Sequence, residues 1–146
     1  MENWLIYGLA TSLFFGVFAI SNKVATSEKY YGLNPSAASI FMGIGILAVF
    51  VGFALYGGNF AMPKSIPGAG YGLLSGIMWG AGMVFVLKAL SSGADVAKLV
   101  PIYNTNTLVA VILGIVLLKE IPVASAILKV LAGAILILIG SVLVSF

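Results

Sequence analysis

The sequence predicts an all-α integral membrane protein with five membrane-spanning helices. Three observations predict it. Hydrophobic residues make up 62% of the chain and charged residues only 8%, where an ordinary soluble domain carries roughly a quarter charged. Five apolar stretches are each long enough for a hydrocarbon core of about 30 Å, which takes roughly 20 residues of helix to cross. The segments between them are short and turn-rich. A soluble fold has no means of covering so much apolar surface with so few charges, whereas lipid solvates the outer faces of such helices.

The first helix is expected from about Trp4 to Asn22. It lacks the basic start and the small-residue cleavage site of a signal peptide, so it is read as retained. The second helix is expected over about 35–56, with Pro35 after Asn34 at its start. The third runs from about Gly68 to Ala89 behind Pro67, the fourth from about Val96 to Leu118, and the fifth over about 122–144. Proline suits the first helical turn, where a missing N–H costs little. Trp4, Tyr7, Tyr30, Tyr31, Tyr56, Tyr71 and Phe146 fall near helix ends, where amphipathic rings favour the headgroup zone. Lys119-Glu120-Ile121 is so short a connector that it makes an antiparallel hairpin of helices four and five. The whole chain, 1–146, is read as a single transmembrane domain.

Charge and composition exclude several functions. The net charge of +3 comes from scattered lysines and makes no nucleic-acid footprint. Cysteine and histidine are absent, which removes thiol chemistry and the commonest metal ligand. Glu2, Glu28, Asp95 and Glu120 all lie at termini or loop edges, so no carboxylate stands at mid-membrane as a proton relay. No nucleophile–base pair, metal cluster or phosphate loop is present, and neither an enzyme nor a cofactor is expected. Lys23, Lys29, Lys88 and Lys98 lie on one side, partly offset by Glu28 and Asp95. Lys64, Lys119 and the amino terminus lie on the other, with Lys129 deeper in the fifth helix. The positive-inside rule places the first and third loops in the cytoplasm, but by a narrow margin, and so weak a bias permits insertion both ways. The lysines at helix ends are expected to snorkel.

Polar residues inside a membrane span are functional candidates or interhelical glue. The densest group is Pro101-Ile-Tyr-Asn-Thr-Asn-Thr107 in the fourth helix. Tyr103, Asn104, Asn106 and Thr107 are the expected substrate contacts, and Pro101 is expected to loosen the helix and free a carbonyl. Thr11, Phe15, Phe18 and Asn22 form a stripe on the first helix, and Trp79 with Met83 a similar pair on the third. These serve either as pocket walls or as ordinary lipid-facing and core residues. The third helix also carries Gly68, Gly72, Gly76 and Gly80 at a spacing of four, and the fifth Ala126, Gly133 and Gly140 at a spacing of seven. Both lines fit close approach of another helix, the second as an internal contact or a dimer seam.

Phe15-Gly-Val-Phe-Ala-Ile-Ser-Asn-Lys23 resembles the first-helix pattern of EamA-type members of the drug/metabolite transporter superfamily. Lys88-Ala-Leu, Val100-Pro101 and Leu117-Leu-Lys119-Glu120 resemble the family's later Ala-Leu…Pro…Leu-Gly-Glu segment, with Lys119 where glycine is usual. The resemblance implies one five-helix repeat of the drug/metabolite type, half of a ten-helix transporter built from two inverted repeats. The small multidrug-resistance relatives form antiparallel dimers through a glycine seam on their last helix, and Ala126, Gly133 and Gly140 are similar in position. It implies that helices one to four line a pathway and helix five joins two copies. The relatives' membrane glutamate in helix one has no equivalent, which argues against proton-coupled cation export.

The expectation is therefore a secondary transporter of a small neutral or anionic metabolite. It would work by alternating access as an antiparallel homodimer with dual topology, in the plasma membrane of a prokaryote. Its partners are the lipid bilayer, the substrate and a second copy. The rival readings are a flippase-type subunit and a non-transporting scaffold subunit of a heteromeric complex. Substrate, coupling ion and direction of transport are not encoded in any motif.

Overall fold

The computed structural model describes residues 3–56, 65–119 and 124–145. The helices in order are α1 (Asn3–Thr26), α2 (Pro35–Tyr56), α3 (Ile66–Ser91), α4 (Val96–Tyr103), α5 (Asn106–Val116) and α6 (Ala124–Ser145). With α4 and α5 taken as one span, five segments are long and apolar enough to cross a membrane, and among the described residues there is no strand. The chain is thus all-α and has the helices of a multi-pass membrane protein. Lys64, Glu120 and Pro122, together with Glu2 and Phe146, lie outside the described residues, as does the side chain of Ala126.

Helix ends follow the physics of their sequences. Asn34 precedes Pro35, and its side-chain oxygen accepts from the Ser36 amide at 2.8 Å, capping α2. Ser65 does the same for α3, accepting from the Gly68 amide at 3.2 Å, with Pro67 in the first turn. The first helix continues past the expected Asn22 to Thr26. Its final carbonyls, which a helix alone leaves unpaired, are met by the loop that follows. Tyr31 donates to Val24, Leu33 to Ala25, and Tyr30 and Gly32 to Ser27, at 2.8–3.3 Å. The turn takes Gly32 to a φ of 56°, a value at which a side chain is strained.

Two compact units divide the chain, residues 1–93 and 94–146. In the first, α1, α2 and α3 each pack on the other two. Leu87 and Leu90 are almost fully buried, with Met83 one turn earlier on α3 and Ala19 and Ala38 on α1 and α2. In the second unit α6 packs along both α4 and α5. Its buried residues, Ala134, Ser141 and Ser145, recur at helical spacing on one face. The Ser145 hydroxyl is shared between the Lys98 carbonyl of α4, 2.9 Å away, and the Ser141 carbonyl, 2.7 Å away.

The remaining surface is apolar. Even in α3 only Met83, Leu87 and Leu90 are buried, and Phe14, Phe41, Phe53 and Leu143 stand mostly exposed. Lipid is the solvent that makes such a surface inexpensive. Hydroxyls within the spans are spent internally: Thr11, Ser12, Ser21 and Ser141 each donate to a carbonyl three or four residues back in their own helix.

These packing differences predict a contrast. Leu87→Ala should lower the unfolding free energy in detergent by about 2–5 kcal/mol, because it empties a closed site. Phe53→Ala on the open face of α2 should cost no more than about 0.5 kcal/mol. Thermal unfolding of both variants checks the pair.

Candidate functional sites

The fourth span breaks where its polar residues cluster. α4 stops at Tyr103 and α5 begins at Asn106, with Asn104 and Thr105 in a turn between them. Val96–Val116 is one apolar span, as expected of the fourth helix, with a turn at Asn104–Thr105 dividing it into two helical pieces. Across the break the amides of Thr105, Thr107 and Leu108 donate three residues back, to Ile102, Asn104 and Thr105, at 2.9–3.2 Å. In an α-helix they would reach four back. The carbonyls of Pro101 and Tyr103 consequently lose the partner that an unbroken helix would supply. Pro101 contributes by lacking an N–H for the Ala97 carbonyl. The Thr105 hydroxyl helps to fix the turn, donating to the Ile102 carbonyl at 2.7 Å.

The expected substrate contacts surround this break. Tyr103 is half-buried, and Asn104, Asn106 and Thr107 are exposed. Tyr103 and Thr107 lie in different helical pieces with the turn between them. Irregular backbone at membrane depth is tolerated only where protein or water meets it. Freed carbonyls beside two amides, two threonine hydroxyls and a phenol make a group able to hydrogen-bond a polar ligand through both donors and acceptors.

The first unit holds a second feature, a partly open cavity of about 880 Å³ among α1, α2 and α3. Phe14, Phe15 and Phe18 reach it from α1, and Ser75, Gly76, Trp79 and Gly80 from α3. Phe18 links the two helices. Its ring centroid is 6.3 Å from that of Phe15 and 6.1 Å from that of Trp79, both in tilted arrangements, within the range of favourable aromatic pairs. The expected aromatic stripe thus reaches a cavity at Phe15, Phe18 and Trp79, while Thr11 and Asn22 do not line it. The Thr11 hydroxyl is bonded to the Tyr7 carbonyl at 2.8 Å. Asn22 is buried, and its side-chain nitrogen has no hydrogen-bond partner among the described residues.

Sequence reasoning missed the second helix as a wall. Met42, Gly43, Ile46 and Phe50 of α2 complete the cavity, yet α2 is apolar all round and gives no hint of which face matters. The glycine lines lie open. At Gly72, Gly76 and Gly80 an added methyl group would meet nothing within 4 Å, and at Gly68 it would meet only the capping Ser65. Among the described residues of the first unit no helix makes the close approach that this line fits, and Gly76 and Gly80 leave room in the cavity wall. Gly133 and Gly140 are likewise unapproached.

An unapproached glycine in a helix carries its entropic cost without any packing return. Gly72→Ala should therefore stabilise the detergent-solubilised monomer by about 0.5–1 kcal/mol. Chemical or thermal unfolding measures it, and a loss of stability would show that another helix does press on that face.

Compared with protein-family models, with curated proteins and with solved structures, the chain matches none.

Proposed function

We propose that the chain is half of a secondary transporter for a small neutral or anionic solute, completed by a second, antiparallel copy. The observation that carries this reading is the break in the fourth span at Asn104–Thr105. Discontinuous helices at membrane depth are the usual way in which transporters present backbone carbonyls and helix ends to a solute. Here the break coincides with five consecutive polar side chains, Tyr103 to Thr107. The amide and hydroxyl side chains offer both donors and acceptors without a fixed charge, which suits a neutral polar solute, and their N–H and O–H groups can also meet an anionic one.

Two further features support the arrangement. The buried face of α6 runs through Ala134 and Ser141, one residue along from Gly133 and Gly140. The glycine line is thus offset by about 100° from the face that packs on α4 and α5, which leaves it open to a helix from outside the second unit, in this reading that of a second copy. Lys119, where the EamA-type pattern has glycine, takes a φ of 54°. That is a left-handed conformation in which glycine is the unstrained residue, a position of the kind the EamA-type glycine would suit. Alternating access then follows from symmetry: two inverted copies exchange conformations around one site.

Transport and topology are separately testable. Purified protein in vesicles should take up a member of a panel of amino acids, sugars and carboxylates, chosen by thermal-shift screening. Tyr103→Ala and Asn106→Ala should each reduce uptake about tenfold or more, as expected for loss of one substrate hydrogen bond of roughly 1.5 kcal/mol. Wild-type rates in both variants, with the fold intact, would remove the break from the pathway.

A single cysteine placed by Ser92→Cys should be labelled from both sides of the cell membrane in equal fractions. Labelling from one side alone would exclude the antiparallel pair. Gly133→Leu should convert dimer to monomer in crosslinking.

A further inference from the structure

The cavity of the first unit has the size usual for small-molecule sites, roughly 300–1,000 Å³, but it has almost nothing polar to offer. Two hydroxyls line it, Ser39 and Ser75, and each already donates at 2.8 Å to a carbonyl of its own helix, Ser36 and Gly72 respectively. No charged or amide side chain reaches it. What it presents is the rings of Phe15, Phe18 and Trp79 against the bare helix backbone of Gly76 and Gly80. Beyond the Trp79 indole N–H and the two hydroxyl oxygens, a polar group entering there would find nothing to replace its bonds to water, and each bond left unmade costs roughly 2–7 kcal/mol. A hydrocarbon chain loses nothing of the kind.

The geometry points to a binding site for one hydrocarbon chain of a single-chain lipid-like amphiphile, lodged among α1, α2 and α3 with its headgroup outside. Three facts converge on that occupant. The lining residues lie within the membrane spans, so a chain reaches them from the bilayer without crossing water. The cavity is partly open, as a site filled from the lipid phase must be. The two glycines keep it wide, because even a methyl group added at either would stand in open space, with nothing within 4 Å. This site does not depend on the transport reading, since neither the polar turn of the fourth span nor a second copy forms part of it.

Trp79 is a built-in reporter. In a Trp4→Phe protein it is the sole tryptophan. Reconstituted in phospholipid vesicles and titrated with a bromine-labelled fatty acid, its fluorescence should be quenched saturably, levelling near one probe per protein. A reference protein carrying Trp4→Phe, Trp79→Phe and Phe53→Trp, with its tryptophan on the open face of α2, should be quenched only in proportion to probe in the bilayer.

Gly76→Leu places a side chain in the cavity and should raise the half-saturating probe concentration about tenfold, the worth of roughly two displaced methylenes. Gly70→Leu, outside the cavity on the same helix, should leave it unchanged. Quenching of Trp79 that stays proportional like the reference would reduce the cavity to ordinary lipid contact and overturn the site. Absence of quenching at every probe level would overturn it too, showing the groove to be filled by protein. If Gly76→Leu itself misfolds, Gly80→Leu poses the same question from the next turn.

Discussion

In hydrocarbon a peptide group has no water to fall back on, and every other feature of this protein is arranged around that constraint. Each unpaired backbone group costs several kcal/mol there, so long uninterrupted helices are the default and departures from them need a local remedy. At the end of α1 the remedy is a loop that folds its own amides back onto the Val24, Ala25 and Ser27 carbonyls. At the start of α2 and α3 it is a single side chain, Asn34 or Ser65. Several serines and threonines within the spans, Thr11, Ser12 and Ser21 among them, return their protons to the helix that carries them. The fourth span alone leaves the problem open inside a span among the described residues, and it does so amid the densest polar sequence in the chain.

The architecture was largely legible because its signals are strong and redundant. Length and hydropathy locate the spans, and Pro35 and Pro67 mark where two of them begin. The limits of legibility are equally physical. Lys23 looks like the end of the first helix, yet lysine extends its charge away from its backbone, and the helix runs on to Thr26. Pro101 and the run from Tyr103 to Thr107 announce trouble in the fourth helix. They do not locate the break, because the proline disturbs the turn before it while the polar side chains compete for the backbone after it.

The sites were legible in part for a similar reason. Aromatic residues three or four apart on α1 identify a face, so Phe15 and Phe18 could be picked out, and Trp79 with them. Hydrogen bonding within a helix leaves no trace in spacing, so Thr11 was indistinguishable from a free hydroxyl. A helix that is apolar on every side, like α2, hides its inward face completely. Glycine spacing reveals that a strip is flat and not what lies against it: on α3 two of the glycines face a cavity, and on α6 the strip lies beside the packed face rather than on it.

Five crossings have a bearing on how such a chain can evolve. Five spans that each cross once put Asn3 and Ser145 on opposite membrane faces. A head-to-tail gene duplication would therefore start its second copy from the far side and insert it upside down, with no added helix and no redesigned loop. The even-numbered alternative would yield two copies facing the same way. Parity alone thus sets whether duplication generates an inverted pair or a parallel one.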